Sequence, residues 1–295
     1  MGTLGQELVK QIRSIDKHLR LVVYSRDEGK QAAMARTFPE GGPDGLRYML
    51  GDVCDTERLT MAMRGITHVI HAAAMKMIDK CEWDAFEATR INVMGTLSVV
   101  KACMRTGVHR AIYISTDKAP NSCGVYGATK RLGEEIWTHA NTYGPTEFDC
   151  VRYGNVRGSN KSVFQTWKAL AATGKTIELT SGTATRFFWD VKDAASFCLR
   201  ALECDTRGMI YIPKMQSYKM ADMARQFTDK IIVTGYRCPE KDHEILWTDW
   251  EHQWVRDLGW AYCLYPMIHP WTINMDMRGQ PVQQQVTSEN SLARA

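Results

Sequence analysis

Short apolar, β-branched runs alternate with amphipathic stretches through the first half of the chain. Leu19 to Ser25, Leu46 to Leu50, His68 to His71, Ala111 to Ser115 and Phe148 to Val151 read as buried strands. Between them, Gly5 to Ile15, Asp27 to Thr37, Thr56 to Arg64, Trp83 to Arg105 and Tyr126 to Thr142 carry apolar residues at helical spacing. This alternation predicts an α/β fold, a doubly wound parallel sheet with right-handed crossovers, whose ligands bind beyond the carboxyl ends of the strands. From about residue 156 the order loosens, with helices expected near 162–173, 191–203 and 219–229. The expected organisation is a nucleotide-binding domain over residues 1–155, a smaller substrate-binding lobe over 156–276 interleaved with the last strands, and a polar, aperiodic tail over 277–295 without fixed structure.

Composition narrows the class. Hydrophobic content of 44% and charged content of 24% are those of an ordinary globular protein. The net charge of +4 comes from 37 basic residues spread along the chain, which gives a nucleic-acid role no support. No apolar run is long enough for a membrane span and no signal-peptide pattern opens the chain. The nine cysteines include no CxxC pair, and neither they nor the eight histidines show ligand spacing. Free thiols in a reducing cytoplasm are expected, and no metal site.

The candidate chemistry lies in Ser115-Thr116-Asp117-Lys118 and Tyr126-Gly127-Ala128-Thr129-Lys130. Tyr126 and Lys130, at i,i+4, share one face of a helix. An ammonium near a phenol stabilises the phenolate, so the tyrosine can accept a proton near neutral pH. Asp117 and Lys118 add an acid and a second amine in the loop between strand and helix. Taken alone, a Tyr and a Lys at this spacing fit any exposed helix, and an Asp-Lys pair fits a surface ion pair.

Together with Arg152-Tyr153-Gly154-Asn155-Val156, these motifs resemble those of the extended short-chain dehydrogenase/reductases. More narrowly, they resemble the inverting UDP-N-acetylglucosamine 4,6-dehydratases of the CapD-like polysaccharide-biosynthesis group. That family's STDKA, Asn-Pro, YGATK and RYGNV stand here as STDKAPNSCGVYGATK and VRYGNVRGS, with Asn121-Ser122 in place of Asn-Pro. The resemblance runs from the first residues to about Glu244. It implies a Rossmann-like sheet, NADP as cofactor, a UDP-sugar substrate and a homo-oligomer, dimer or hexamer. It also implies a reaction sequence. Tyr126, assisted by Lys130, removes the C4 hydroxyl proton as C4 is oxidised, and the resulting ketone acidifies C5. Lys118 takes the C5 proton, Asp117 protonates the departing C6 hydroxyl, and Thr116 bonds the sugar. The amine base requires a lysine pKa lowered by burial or a nearby cation.

On the same resemblance, Gly2 and Gly5 match the second and third glycines of a phosphate loop, although two glycines also fit a flexible terminus. The family's first strand and first glycine are absent before Met1, which suggests a start inside a longer gene product. Ser25 and Arg26, at the end of the next strand, offer a hydroxyl and a guanidinium suited to a ribose 2′-phosphate, favouring NADP over NAD. Asp52 and Val53 follow as an adenine contact, or equally a turn after a strand. Ala72 and Lys76 after His71, then Ser115 and Val156, complete the cofactor set, with Tyr126 and Lys130 at its reactive end. Asn155, Val163 and Arg186 are the substrate-binding candidates, Arg186 as a bidentate partner of the diphosphate. Val233 to Glu244 resembles the family's RPGEKLHE imperfectly, which places the uridine end in question. The tryptophans at 247, 250, 254 and 260 fit core packing or an oligomer contact better than a sugar platform. Two readings stay open beside the dehydratase. One is an epimerase or 5,6-dehydratase of the same fold, and the other is a catalytically silent sugar-nucleotide-binding subunit.

Overall fold

The computed structural model describes residues 2–41, 45–158, 162–235, 239–265 and 279–292. Strands and helices alternate as the apolar pattern requires. In order they are α1 (Thr3–Ile15), β1 (Leu21–Ser25), α2 (Glu28–Thr37), β2 (Leu46–Leu50), α3 (Thr56–Ala62) and β3 (His68–His71). After three further helices come β4 (Arg110–Ile114), α7 (Val125–His139) and β5 (Glu147–Val151). Asp27 and Asp55 start α2 and α3 by accepting from the backbone N–H groups of Lys30 and Arg58.

The expected long helix from Trp83 to Arg105 is broken. Residues 78–106 form α4 (Ile78–Trp83), α5 (Ala85–Thr89), a π-helical turn (Arg90–Met94) and α6 (Gly95–Thr106). Asp84 interrupts the first turn by capping the Glu87 N–H. In the π turn the Asn92 carboxamide grips the backbone of Met75 through both its N–H (2.7 Å) and its C=O (3.0 Å), and donates to Thr129 Oγ1. A polar side chain committed to partners across the helix widens the turn there, a feature that apolar periodicity does not reveal.

β3, β4 and β5 are parallel, and β5 continues to β9 (Ile210–Pro213), also parallel. The sheet then turns antiparallel through β13 (Ala261–Leu264), β12 (Val255–Asp257) and β14 (Gln280–Pro281). β1 and β2 form a separate parallel pair, so the sheet is interrupted between β1 and β3 among the described residues. All five residues of β4 are buried, as is usual for a central parallel strand. Its neighbours Trp137, Phe148, Tyr211 and Ile212 are at most 1% exposed.

The second half adds α8 (Val163–Ala172), β7 (Ile177–Leu179), α10 (Met220–Arg225) and β11 (Ile231–Val233) around a small core of its own. That core is built on Trp167, Ile177, Leu179 and Ala224. Between it and the main sheet run β6 (Asn155–Arg157), β8 (Thr185–Asp190) and β10 (Gln216–Lys219), with α9 (Val191–Leu202) packed on α1.

The tail expected to be irregular is folded over residues 279–292. Ser288 is fully buried. Its Oγ accepts from the Glu244 N–H at 2.8 Å and its own N–H donates to the Glu244 carbonyl at 2.8 Å. Hydrogen bonds from a polar segment to a buried partner leave no hydrophobic period to read, which is why composition mistook this stretch for a free tail.

Candidate active site

The loop after β4 brings the candidate acid and amine to the carboxyl edge of the sheet, as the strand order requires. The Asp117 N–H donates to the Tyr153 carbonyl at 2.9 Å, and the Lys118 carbonyl lies against Gly127 in the first turn of α7. A Cβ at Gly127 would collide with that carbonyl, so the close approach of helix to loop requires glycine. The amino terminus of α7 is fixed from a distance by Glu82 of α4, whose Oε1 accepts the Val125 N–H at 2.6 Å.

Lys118 lies between two carboxylates. Its Nζ is 2.9 Å from Asp117 Oδ1 and 3.3 Å from Glu244 Oε1, and both acids are buried. Asp117 and Glu244 therefore hold the lysine above its ordinary range despite burial, which alone would lower it. Two buried anions thus favour the ammonium, opposed by burial and by Arg186. Asp117 is raised, chiefly by burial, and its Oδ2 accepts no hydrogen bond and faces Gly154. Glu244 is held below the usual carboxylate range by Lys118, Arg186 and Lys241 against the opposing effect of burial.

Tyr126 is hydrogen-bonded with Thr116 and is pushed up to about 12 by burial, with Lys118 the cation that works in the other direction. Thr116 Oγ1 also donates to Asp117 Oδ1. Lys130 faces the strand below it. Its Nζ donates to the Ile114 carbonyl at 2.5 Å and lies 3.9 Å from the centre of the Tyr113 ring, and burial lowers it to about 7. The i,i+4 spacing put both residues on one helix face, but α7 packs so closely on β4 that Lys130 is drawn beneath the strand end.

A cavity of about 310 Å³ opens at this edge, bounded by Lys118, Tyr126, Asn155, Val163, Arg186 and Glu244, and lined also by Trp167 and Met220 of the second core and Phe188 of β8. The three substrate-binding candidates thus share one cavity with Lys118 and Tyr126, whereas Asp117 stands behind Lys118. Arg186 commits three donors to backbone. Its Nη1 bonds the Thr185 and Asp242 carbonyls and its Nη2 the Lys241 carbonyl, so it anchors the 239–244 loop as well as lining the cavity. Glu240 and Glu244 stand in the segment from Val233 that resembles the RPGEKLHE motif, but chain separation hid the contact of Glu244 with Lys118; Glu82, also on the cavity wall, carried no sequence signal.

The cofactor candidates fall along the neighbouring strand ends. Gly2 caps α1 without a side chain and Gly5 follows in the first turn. Ser25 Oγ accepts from Gln31 Nε2 at 3.0 Å, and Arg26 is mostly exposed, with a 3.8 Å contact to Glu87. Asp52 pairs with Arg90 at 3.0 Å and accepts the Cys54 N–H, so its carboxylate is engaged in closing the turn after β2. Val53 packs against the site of Gly95 in α6. Ala72 and Lys76 are exposed in the loop after β3, and Val156 is half-buried in β6. The Ser115 hydroxyl is buried without a hydrogen-bond partner among the described residues. Ser159 and the Tyr236 to Cys238 part of the uridine motif lie outside the described residues. Trp247 is fully buried and Trp260 stacks on Tyr211, away from the cavity walls.

Comparison with known proteins agrees with this architecture. The model for a polysaccharide biosynthesis protein family matches residues 1–264. The inverting UDP-N-acetylglucosamine 4,6-dehydratase of Campylobacter jejuni is 36% identical over 273 residues, covering 90% of this chain and 81% of that protein. A UDP-glucose 4-epimerase of Rickettsia canadensis is 32% identical over 277 residues, 88% of this chain and 79% of its own. Among solved structures, Pen from Bacillus thuringiensis superposes with a TM-score of 0.88 at 27% identity, covering 99% of this chain and 92% of that one. DesIV, a dTDP-glucose 4,6-dehydratase of Streptomyces venezuelae solved with NAD, superposes at 0.74 and 19% identity over 82% of this chain and 84% of its own, which shows the shared fold. No helix among the described residues is long and apolar enough to cross a membrane. With the family model spanning the sheet, the Tyr126 helix and the cavity alike, the chain belongs to the polysaccharide biosynthesis protein family.

Proposed function

We propose that the chain is an inverting UDP-N-acetylglucosamine 4,6-dehydratase. The observation that carries this reading is that Lys118, within 3.3 Å of Asp117 and Glu244, lines one sugar-sized cavity together with Tyr126, Asn155 and Arg186. A nicotinamide bound along the strand ends would supply reversible oxidation at C4 and reduction at C6. The glycine-led amino terminus of α1 and the exposed Arg26 fit such a group. Tyr126 takes the C4 hydroxyl proton as a phenolate, a form that burial disfavours and the Lys118 cation favours, and Thr116 fixes the orientation of the ring. Once C4 is a ketone, C5 is acidic and the C6 hydroxyl can leave. Lys118 donates the proton that converts this hydroxyl to water, with Asp117 behind it keeping the lysine charged. Asn155 and Val163 bound the sugar, and Arg186 holds the loop that closes over it.

Incubation of the protein with UDP-N-acetylglucosamine and a nicotinamide cofactor is expected to give a product lighter by one water. Mass spectrometry separates the alternatives, since an epimerase conserves mass and a silent binding subunit returns the substrate unchanged. Tyr126→Phe is expected to abolish the oxidation step and with it all product.

The cofactor is NADP on this reading, because Arg26 presents its guanidinium to solvent at the ribose end of β1. Arg26→Ala should weaken NADP by about 10- to 100-fold, the loss of one charge-assisted contact, and leave NAD binding nearly unchanged. Titration calorimetry with both dinucleotides measures this, and equal weakening of the two would reject the assignment. A homo-oligomer is also proposed, on family resemblance alone.

A further inference from the structure

Three elements meet at Gly124, the residue that precedes α7. Glu82, in the last turn of α4, and Pro239, at the start of the loop held by Arg186, both pack against it. A Cβ at Gly124 would overlap the Glu82 carboxylate and the Pro239 ring alike. The backbone there is extended, at φ −155° and ψ 175°, which any residue adopts, so close approach alone requires glycine. Lacking a side chain, Gly124 leaves α7 without a cap of its own. Glu82 fills that place from another helix, its Oε1 accepting the Val125 N–H at 2.6 Å. A carboxylate there satisfies an orphan amide at the positive end of the helix dipole. Tyr126 is the next residue, and Glu82, Gly124, Tyr126 and Pro239 all border the cavity. The Tyr126 carbonyl is anchored separately. It accepts from Thr129 Oγ1 at 2.9 Å, and that hydroxyl accepts from Asn92 of the π turn at 3.0 Å. The residue before Tyr126 rests on Glu82.

We propose that Glu82 is a positioning residue for Tyr126, acting through the Val125 amide, and that its reach, not its charge, is what the reaction needs. The proposal rests on the dehydratase reading above, in which Tyr126 takes the C4 hydroxyl proton. That transfer needs the phenol within hydrogen-bond distance of the hydroxyl, and a misplacement of about 1 Å costs on the order of 10²-fold. Helix ends fray where their amides lack partners. Because α7 begins one residue before Tyr126, fraying of its first turn moves the ring directly. Among the described residues Glu82 pairs with no cation, so the hydrogen bond to Val125 is the contact through which it acts. Pro239 packs on the same glycine, and Arg186 holds its loop by the Lys241 and Asp242 carbonyls. The start of the helix and the loop beside the cavity thus share one contact point.

Three variants of the cofactor-loaded enzyme test the assignment, with UDP-N-acetylglucosamine carrying hydrogen or deuterium at C4. Glu82→Ala removes the acceptor, and Glu82→Asp keeps the charge but shortens the reach by one methylene. Each is expected to lower kcat for water loss about 10- to 100-fold, with KM within about threefold of wild type. Because the slowed step is the oxidation at C4, both should show a full primary isotope effect from deuterium there. Glu82→Gln keeps an acceptor oxygen at the original reach and should recover most of the rate. The reverse order, with Asp active and Gln silent, would make charge the working feature and overturn the proposal, even if Glu82→Ala failed to fold. Wild-type rates in Glu82→Ala and Glu82→Asp would overturn it as well. So would slow variants without the isotope effect, since a merely structural role lowers the amount of working enzyme and leaves the balance of steps unchanged. Absence of water loss in the wild-type enzyme would instead reject the dehydratase reading itself.

Discussion

Replacing Asp117 with asparagine is expected to lower kcat for dehydration by about 100-fold or more while KM stays within a few-fold, because the residue acts through Lys118 and does not line the cavity. The amide keeps the size of the carboxylate and removes its charge. Lys118 then loses the anion at 2.9 Å and keeps only Glu244 at 3.3 Å. The sign of the pH effect follows. The folded lysine lies above its ordinary value of 10.5, and the acid is its charged form. Activity is therefore present below that folded value and is lost as pH rises through it. In Asp117→Asn the alkaline limb of kcat should move to lower pH, toward or below 10.5. A pH profile of kcat that keeps its limb, or a loss confined to KM, would show that Asp117 does not govern the lysine.

The second large effect concerns stability. Arg152, following β5, is fully buried and spans two buried acids. Its Nε and Nη2 donate to Glu134 of α7 at 2.9 and 2.8 Å, and its Nη groups donate to Glu251 at 3.0 and 3.2 Å. Arg131 joins Glu251 at 2.6 Å, and Arg152 also donates to the Leu246 carbonyl. The cluster thus locks the helix that carries Tyr126 to the segment that follows Glu244. Removing one member leaves uncompensated buried charge, at a cost of about 3–5 kcal/mol. Arg152→Met should lower Tm by roughly 10 °C in a calorimetric scan. A shift of less than about 2 °C would mean that the cluster contributes little to the fold. Acid should act on the same joint. Glu251 is held at about 2 by Arg152 and Arg131 against an ordinary value of 4.5, so the stability it gives is complete above about pH 4.5 and fades as pH falls toward 2. Glu251→Gln should flatten that part of the stability curve.

The parallel half of the fold was readable because each buried strand is a continuous apolar run and each covering helix shows one apolar stripe. β1, β2, β3, β4 and β5 fall within about two residues of the runs that predict them. The second half was less readable. β6, β7 and β11 each span three residues, too short to show a period, and pair with distant partners such as β8 and β7. The tail was misread for a related reason. Ser288 is buried through hydrogen bonds to Thr185 and Glu244, and polar burial of that kind has no hydrophobic signature.

By itself, the sequence determined the alternating sheet and helices, and the placement of Thr116, Asp117, Lys118 and Tyr126 at its carboxyl edge. Local apolar period and motif spacing are written within a few residues, and a parallel strand must deliver the loop that follows it to that edge. Only the tertiary structure decided the charge on each group. Lys118 is held toward its charged form because Glu244 reaches it from more than a hundred residues away. Lys130 was drawn to the Ile114 carbonyl by the packing of α7 on β4, and Asp117 was set behind the cavity wall. Protonation depends on which charges and how much water surround a group, and those neighbours are brought together only when the chain has folded.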